Sequence, residues 1–267
     1  MINIDSTTVA VETSEELKEI LEGNNEITLI YLAKDIALTR GISILTTKKT
    51  ITIDGLYPTD GTGTIHTYTD MSSAESGDAI GVRGTSSINV IVQNLNVIGR
   101  NYYGIIYVPD GTAYQNIVIA YKNITYTGPQ ITYHPSGLSI YENLDITIVD
   151  STANSAFWFR GSASSPYLEI LEGAEVSLTT TRDVVYTASY LNISIGKNAS
   201  FIINTKYGFF RDKGHQASNI LVDENSKFSV TQTNSNAAMI SCRGDFTINE
   251  NATLLLKANF STTSPLI

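Results

Sequence analysis

The sequence predicts an all-β protein: a single-stranded right-handed parallel β-helix with three short strands per turn and a short N-terminal capping helix. Three observations carry this prediction. Four segments align without gaps, LEILEGAEV from Leu168, ISIGKNASF from Ile193, ILVDENSKF from Ile220 and FTINENATL from Phe246, at successive offsets of 25, 27 and 26 residues. Each alternates apolar and polar residues, the period of a strand with one buried face. Only 16% of the 267 residues are charged, and the abundance of Thr, Ser, Asn, Ile, Val and Tyr favours strands over helices. Self-similarity at this period is the signature of a solenoid; a propeller blade needs roughly 40 residues or more. The right hand follows from the general preference in parallel crossovers.

Taken in order, the first element is the helix. Thr13-Ser14-Glu15-Glu16 has capping-box spacing, Leu17, Ile20 and Leu21 share one helical face, and Gly23 stops the run. Residues 13–22 thus form a cap over the open apolar end, residues 26–267 form the turns, and residues 1–267 make one domain. TLIYLAKDIAL from Thr28 and KTITIDG from Lys49 supply the first turns. In the next three, Asn94, Asn123 and Asn143 each precede an apolar residue, which predicts a stacked amide ladder at a corner. In the four aligned repeats the corner falls on Gly173, Asn198, Asn225 and Asn251, residue types that tolerate positive φ. A third strand follows in FWFRG from Phe157, VVYT from Val184, GFFRD from Gly208 and ISCRG from Ile240. Residues 57–77 and 127–137 break the period and read as longer loops.

Composition narrows the function classes. Seventeen Lys and Arg against 26 Asp and Glu give a formal charge of −9, which disfavours nucleic acid and an anionic membrane surface. No apolar run reaches the roughly 20 residues of a membrane span. The lone Cys242 excludes an internal disulfide framework and reads as a small buried hydrophobe.

Catalytic chemistry finds little support. A lyase wants clustered carboxylates for calcium beside a basic residue, and a hydrolase wants two carboxylates at a set separation. Asp54, Asp60, Asp70 and Asp78 surround the first loop, and Asp145 and Asp150 flank one strand pair, without a compact Asp-x-Asp or Asp-Asp motif. These read as solvated turn carboxylates, and His66, His134 and His215 as scattered, exposed loop histidines. No catalytic residue, metal site or cofactor is assigned.

The order VAVETSEELKEIL, ITLIYLAKDI, KKTITIDG, then Asn-punctuated turns, resembles the pectate-lyase-like adhesive domain of Gram-positive surface proteins. Residues 9–55 carry the more specific part of that likeness. It implies a pectate-lyase-like fold and attachment to carbohydrate or matrix at the outside of a cell or its wall, with no catalytic residue transferred. The ending FSTTSPLI leads to the expectation of a domain cut from a longer exported protein.

For binding, the residues offer one arrangement. Arg160, Arg211 and Arg243 close third strands and are expected along one side, with Thr187 in the intervening turn and Tyr186 and Tyr207 beside them. Such a row suits a glycan through bidentate and stacking contacts. Tyr102, Tyr103, Tyr107, Tyr114 and Tyr121 are further candidates at exposed strand ends, while most of the fifteen tyrosines are expected in the core and its corners. The sequence thus predicts a monomeric, non-catalytic carbohydrate- or matrix-binding module. The alternatives are a polysaccharide lyase or glycoside hydrolase acting on an acidic polysaccharide, with calcium only in that case, and a rigid spacer without a ligand.

Overall fold

Ten strands stack in parallel along the first face, in the register Val9↔Ile30↔Ile53↔Val92↔Tyr121↔Tyr141↔Ile170↔Ile195↔Val222↔Ile248. This is a parallel β-helix. The structure, a computed structural model, describes the chain except residues 39–40, 45–48, 59–60, 62, 72–78, 84–86, 150–154, 160–165, 188–189, 211–217, 235–237 and 260–267. Leu168, Ile193, Ile220 and Phe246 pair in succession, so the ungapped alignment of the repeats is also their register in space. Around the corner a second face stacks Ile36↔Tyr68↔Val97↔Tyr126↔Ile146↔Leu178↔Ile203↔Val230↔Leu256. Inward residues of both faces form one apolar column, because period-two alternation keeps each strand's apolar set on one side.

The third face is thinner. Thr132–Tyr133, Phe157–Trp158 and Val185–Tyr186 form a three-stranded sheet, and Ile42–Ile44 pairs with Ile80–Val82. Single bridges Gly81↔Tyr107, Tyr107↔Tyr133 and Val185↔Phe210 connect further turns.

The N-terminal end is closed. Helix Ser14–Glu22 buries Leu17, Ile20 and Leu21, as the pattern predicts. Thr13 Oγ1 accepts from Glu16 N at 3.2 Å, and Glu16 accepts from Glu12 N at 2.7 Å, one residue before the usual capping-box partner. Gly23 ends the helix in extended conformation (φ −80°) rather than a left-handed cap. A Cβ there would lie 2.5 Å from Glu19 O, so close approach is what demands glycine. The helix C-terminus is tied to the third face by Ser43 N donating to Glu22 Oε1 at 2.9 Å. Thr8–Val11, all four residues buried, is a first-face strand ahead of the predicted first turns, and Ile2–Asn3 covers its edge antiparallel. Its lack of alternation hid it from pattern reading. At the other end, Ile248 is 46% and Leu255 47% exposed, and Phe246, Leu254 and Leu256 are only partly buried.

Both predicted long loops carry strand. Thr67–Asp70 lies within residues 57–77 and pairs with Ile36–Leu38 and with Asn89–Ile98. Residues 127–137 include the end of Val118–Gly128 and the whole of Thr132–Tyr133. The mostly polar sequence TYTD concealed a strand whose Tyr68 and Asp70 are buried.

Candidate functional site

The third-face strands have one residue inward and one outward. Phe157 and Val185 enter the core, which turns Trp158 and Tyr186 outward in consecutive turns. Thr132 and Ile106 are likewise buried, placing Tyr133 and Tyr107 on the same outer column. The outcome is a partly exposed aromatic row. Ring centroids lie 5.1 Å apart for Tyr107–Tyr133, 5.6 Å for Tyr133–Trp158 and 4.4 Å for Trp158–Tyr186. Tyr103 joins at 5.0 Å from Tyr107 and 5.1 Å from Tyr133, with Tyr102 5.0 Å beyond it. Tyr133 and Trp158 stack with their planes 11° apart, and most other pairs are tilted or edge-to-face, the arrangements that ring quadrupoles prefer. Arg83 lies over Tyr107, its guanidinium carbon 5.2 Å from the ring centroid. Burial, and behind it the neighbouring Tyr107, Tyr103 and Asp110, push the Tyr133 hydroxyl up to about 12, so it stays a neutral hydrogen-bonding group.

Of the residues predicted for binding, Tyr186 stands in this row. Tyr207 does not: it follows the second-face strand Ser200–Thr205 and sits under Lys206, whose Nζ is 5.7 Å from its ring. Thr187, expected as an outward rung, is buried. Arg243 is exposed, and Arg160 and Arg211 lie outside the described residues. Tyr121, expected at an exposed strand end, is a fully buried core residue whose ring is tilted against Tyr141. Of the row's other members, Tyr102, Tyr103 and Tyr107 were among the candidates at exposed strand ends, whereas Tyr133 and Trp158 escaped sequence reading although the in-out dyads Thr132-Tyr133, Phe157-Trp158 and Val185-Tyr186 were a visible signal.

The carboxylates and histidines also differ from expectation. Asp54 is buried and accepts from Leu56 N (2.9 Å), Gln93 Nε2 (2.7 Å) and Asn94 Nδ2 (3.0 Å). Asp70 is buried and accepts from the backbone N–H (3.2 Å) and side-chain amide of Asn101. Both are structural acceptors rather than solvated groups, since a buried carboxylate persists only when its lone pairs are filled. Asp60, Asp78 and Asp150 lie outside the described residues. His134 is fully buried, its Nδ1 2.9 Å from Ser139 Oγ, and burial lowers its pKa to about 3. His66 is partly buried beside Asp35, and His215 lies outside the described residues. Cys242 is partly buried against the core, donates to Ser218 O at 2.7 Å, and has its thiol pKa raised by burial. Among the described residues, no three His, Cys, Asp or Glu side chains are grouped to hold a metal, and no helix is long and apolar enough to cross a membrane.

Comparison with known proteins agrees with this architecture. One solved structure, L. reuteri 53608 SRRP, is similar at 17% identity with a TM-score of 0.65, over 94% of this chain and 99% of that one. At that identity the likeness concerns the fold. No curated protein matches. Residues 8–133, just under half of the chain, match the family described as "Putative pectate lyase-like adhesive domain", the family that the N-terminal residues resemble.

Proposed function

We propose that this chain is a non-catalytic adhesion module at the outside of a cell, holding carbohydrate against its third face. The observation that carries the reading is the partly exposed row Tyr103, Tyr107, Tyr133, Trp158 and Tyr186, ended by Arg83 over Tyr107. Aromatic rings with polar tips, held rigid by mutual packing, suit sugar C–H faces and hydroxyls at little entropic cost. The adhesive family matched over residues 8–133 supports attachment rather than turnover. Asp54 and Asp70, two of the carboxylates nearest a predicted loop, are engaged as structural acceptors, which weakens the lyase alternative.

The test is a glycan and matrix-protein binding screen with wild type, Trp158→Ala and Tyr133→Ala. Loss of about tenfold in affinity in both variants, with folding retained, is expected, the size of one lost aromatic anchor. Wild-type release of unsaturated uronate products, with or without calcium, would replace this reading with the lyase one. Equal binding by all three proteins would move the ligand off the row.

A further inference from the structure

A groove of about 380 Å³ runs across the second face beside the corner, bounded by rungs at residues 123–125, 143–145, 175–177 and 200–202. It sits where the corner changes from a single kinked residue, Asn143, to the four-residue turn 171–174. Its size falls within the range of small-molecule sites. Most of the surface that lines it is apolar, and it carries two carboxylates, Asp145 and Glu175, with no Lys or Arg among its described residues. Neither carboxylate is in an ion pair among the described residues. Asp145 Oδ1 accepts from Ser177 Oγ at 2.6 Å, which orients that carboxylate. Ile202, 38% exposed, adds an apolar patch at one end.

We propose that this groove is a second saccharide subsite, selective for an oligosaccharide that bears free amino groups. The two carboxylates attract an ammonium and repel a uronate. The Thr125 and Ser200 hydroxyls, on a stack whose rungs lie about 4.8 Å apart, offer donors and acceptors, while the Asn123 and Asn143 amides are bonded to neighbouring corners. The exposed Ile202 side chain packs against a sugar's apolar face. This goes beyond the adhesion reading and does not depend on the aromatic row.

The test is titration calorimetry of the full chain with a glucosamine tetramer, its fully N-acetylated form, a galacturonate tetramer and penta-lysine. The glucosamine tetramer is expected to bind, more weakly as salt rises. Glu175→Gln and Asp145→Asn, both near-isosteric, are each expected to lower that affinity by about tenfold, the size of one charge-assisted hydrogen bond. Glu12→Gln, which removes an exposed carboxylate paired with Lys34 away from the groove, is expected to leave it unchanged, which ties the effect to this site rather than to net charge. The proposal is overturned if the N-acetylated or galacturonate tetramer binds as well. Penta-lysine binding as tightly would reduce it to simple cation attraction. Unchanged affinity in both carboxylate variants, their unfolding midpoints being intact, would place the ligand elsewhere.

Discussion

Asn123 and Asn225 both hold positive φ, 50° and 56°, yet they belong to corners built in different ways. In the turns around Asn94, Asn123 and Asn143 the chain runs as one bent strand of ten or eleven residues. The side chains there form a continuous ladder. Asn94 donates to Asp54 (3.0 Å), Asn123 to Asn94 (3.0 Å), Asn143 to Asn123 (3.2 Å), and Glu175 N to Asn143 Oδ1 (3.1 Å). From Gly173 onward the corner is a four-residue turn closed by backbone bonds such as Ala174 N to Leu171 O and Ser226 N to Asp223 O, both 3.1 Å. Consecutive corners are joined there through the backbone, with Asn198 N donating to Glu224 O at 3.0 Å and Asn225 N to Glu250 O at 3.1 Å. The same residue type is therefore chosen for its side-chain amide in one half and for its conformational tolerance in the other.

This contrast can be broken at several points. The largest effect is expected at Gly55, the position that precedes the ladder. A Cβ there would lie 2.2 Å from Asn94 O and 2.6 Å from Leu95 Cδ1, so Gly55→Ala should cost about 3 kcal/mol in chemical denaturation. Asn123→Ala comes next, at about 2 kcal/mol, since it loses two ladder bonds and places alanine in the left-handed region.

Acid sharpens the comparison further. His134 lies between the Asn123 and Asn143 corners, and its folded pKa of about 3 is below the unfolded value. The unfolded chain therefore binds the extra proton between about pH 6.5 and 3. Stability from this site is complete above that window and falls as pH drops through it, by about 1.4 kcal/mol per pH unit well inside it. Hydrogen exchange at pH 5 against pH 7 should show the ladder half losing protection before the repeats at 168–258 do. A His134→Gln variant should weaken that difference, and uniform loss across the molecule would deny the asymmetry.

The smallest effect discriminates most. Glycine keeps positive φ without strain, so Asn225→Gly should stay within about 0.5 kcal/mol of wild type, while Asn123→Gly should cost about 1 kcal/mol for its lost amide bonds. Equal unfolding midpoints for the two variants would mean that the ladder contributes nothing beyond backbone conformation.

Much of this architecture was legible because a solenoid writes its register into the sequence. The ungapped alignment of Leu168, Ile193, Ile220 and Phe246 is a list of hydrogen-bonded neighbours, and the seven corners from Asn94 to Asn251 were marked by Asn or Gly. What escaped notice lacked alternation or length. Thr8–Val11 is buried on both faces, and Thr67–Asp70 exposes threonines around one buried tyrosine. The aromatic row rests on two-residue strands, too short for a periodicity argument, so Tyr133 and Trp158 became neighbours only when turns were stacked. Burial of Asp54, Asp70 and His134 depends on partners in neighbouring turns or on packing, which sequence order does not disclose.

The helix over the first coil makes that end of the solenoid a stop. With Leu17, Ile20 and Leu21 seated on that coil, a second copy finds no bare apolar end there on which to stack.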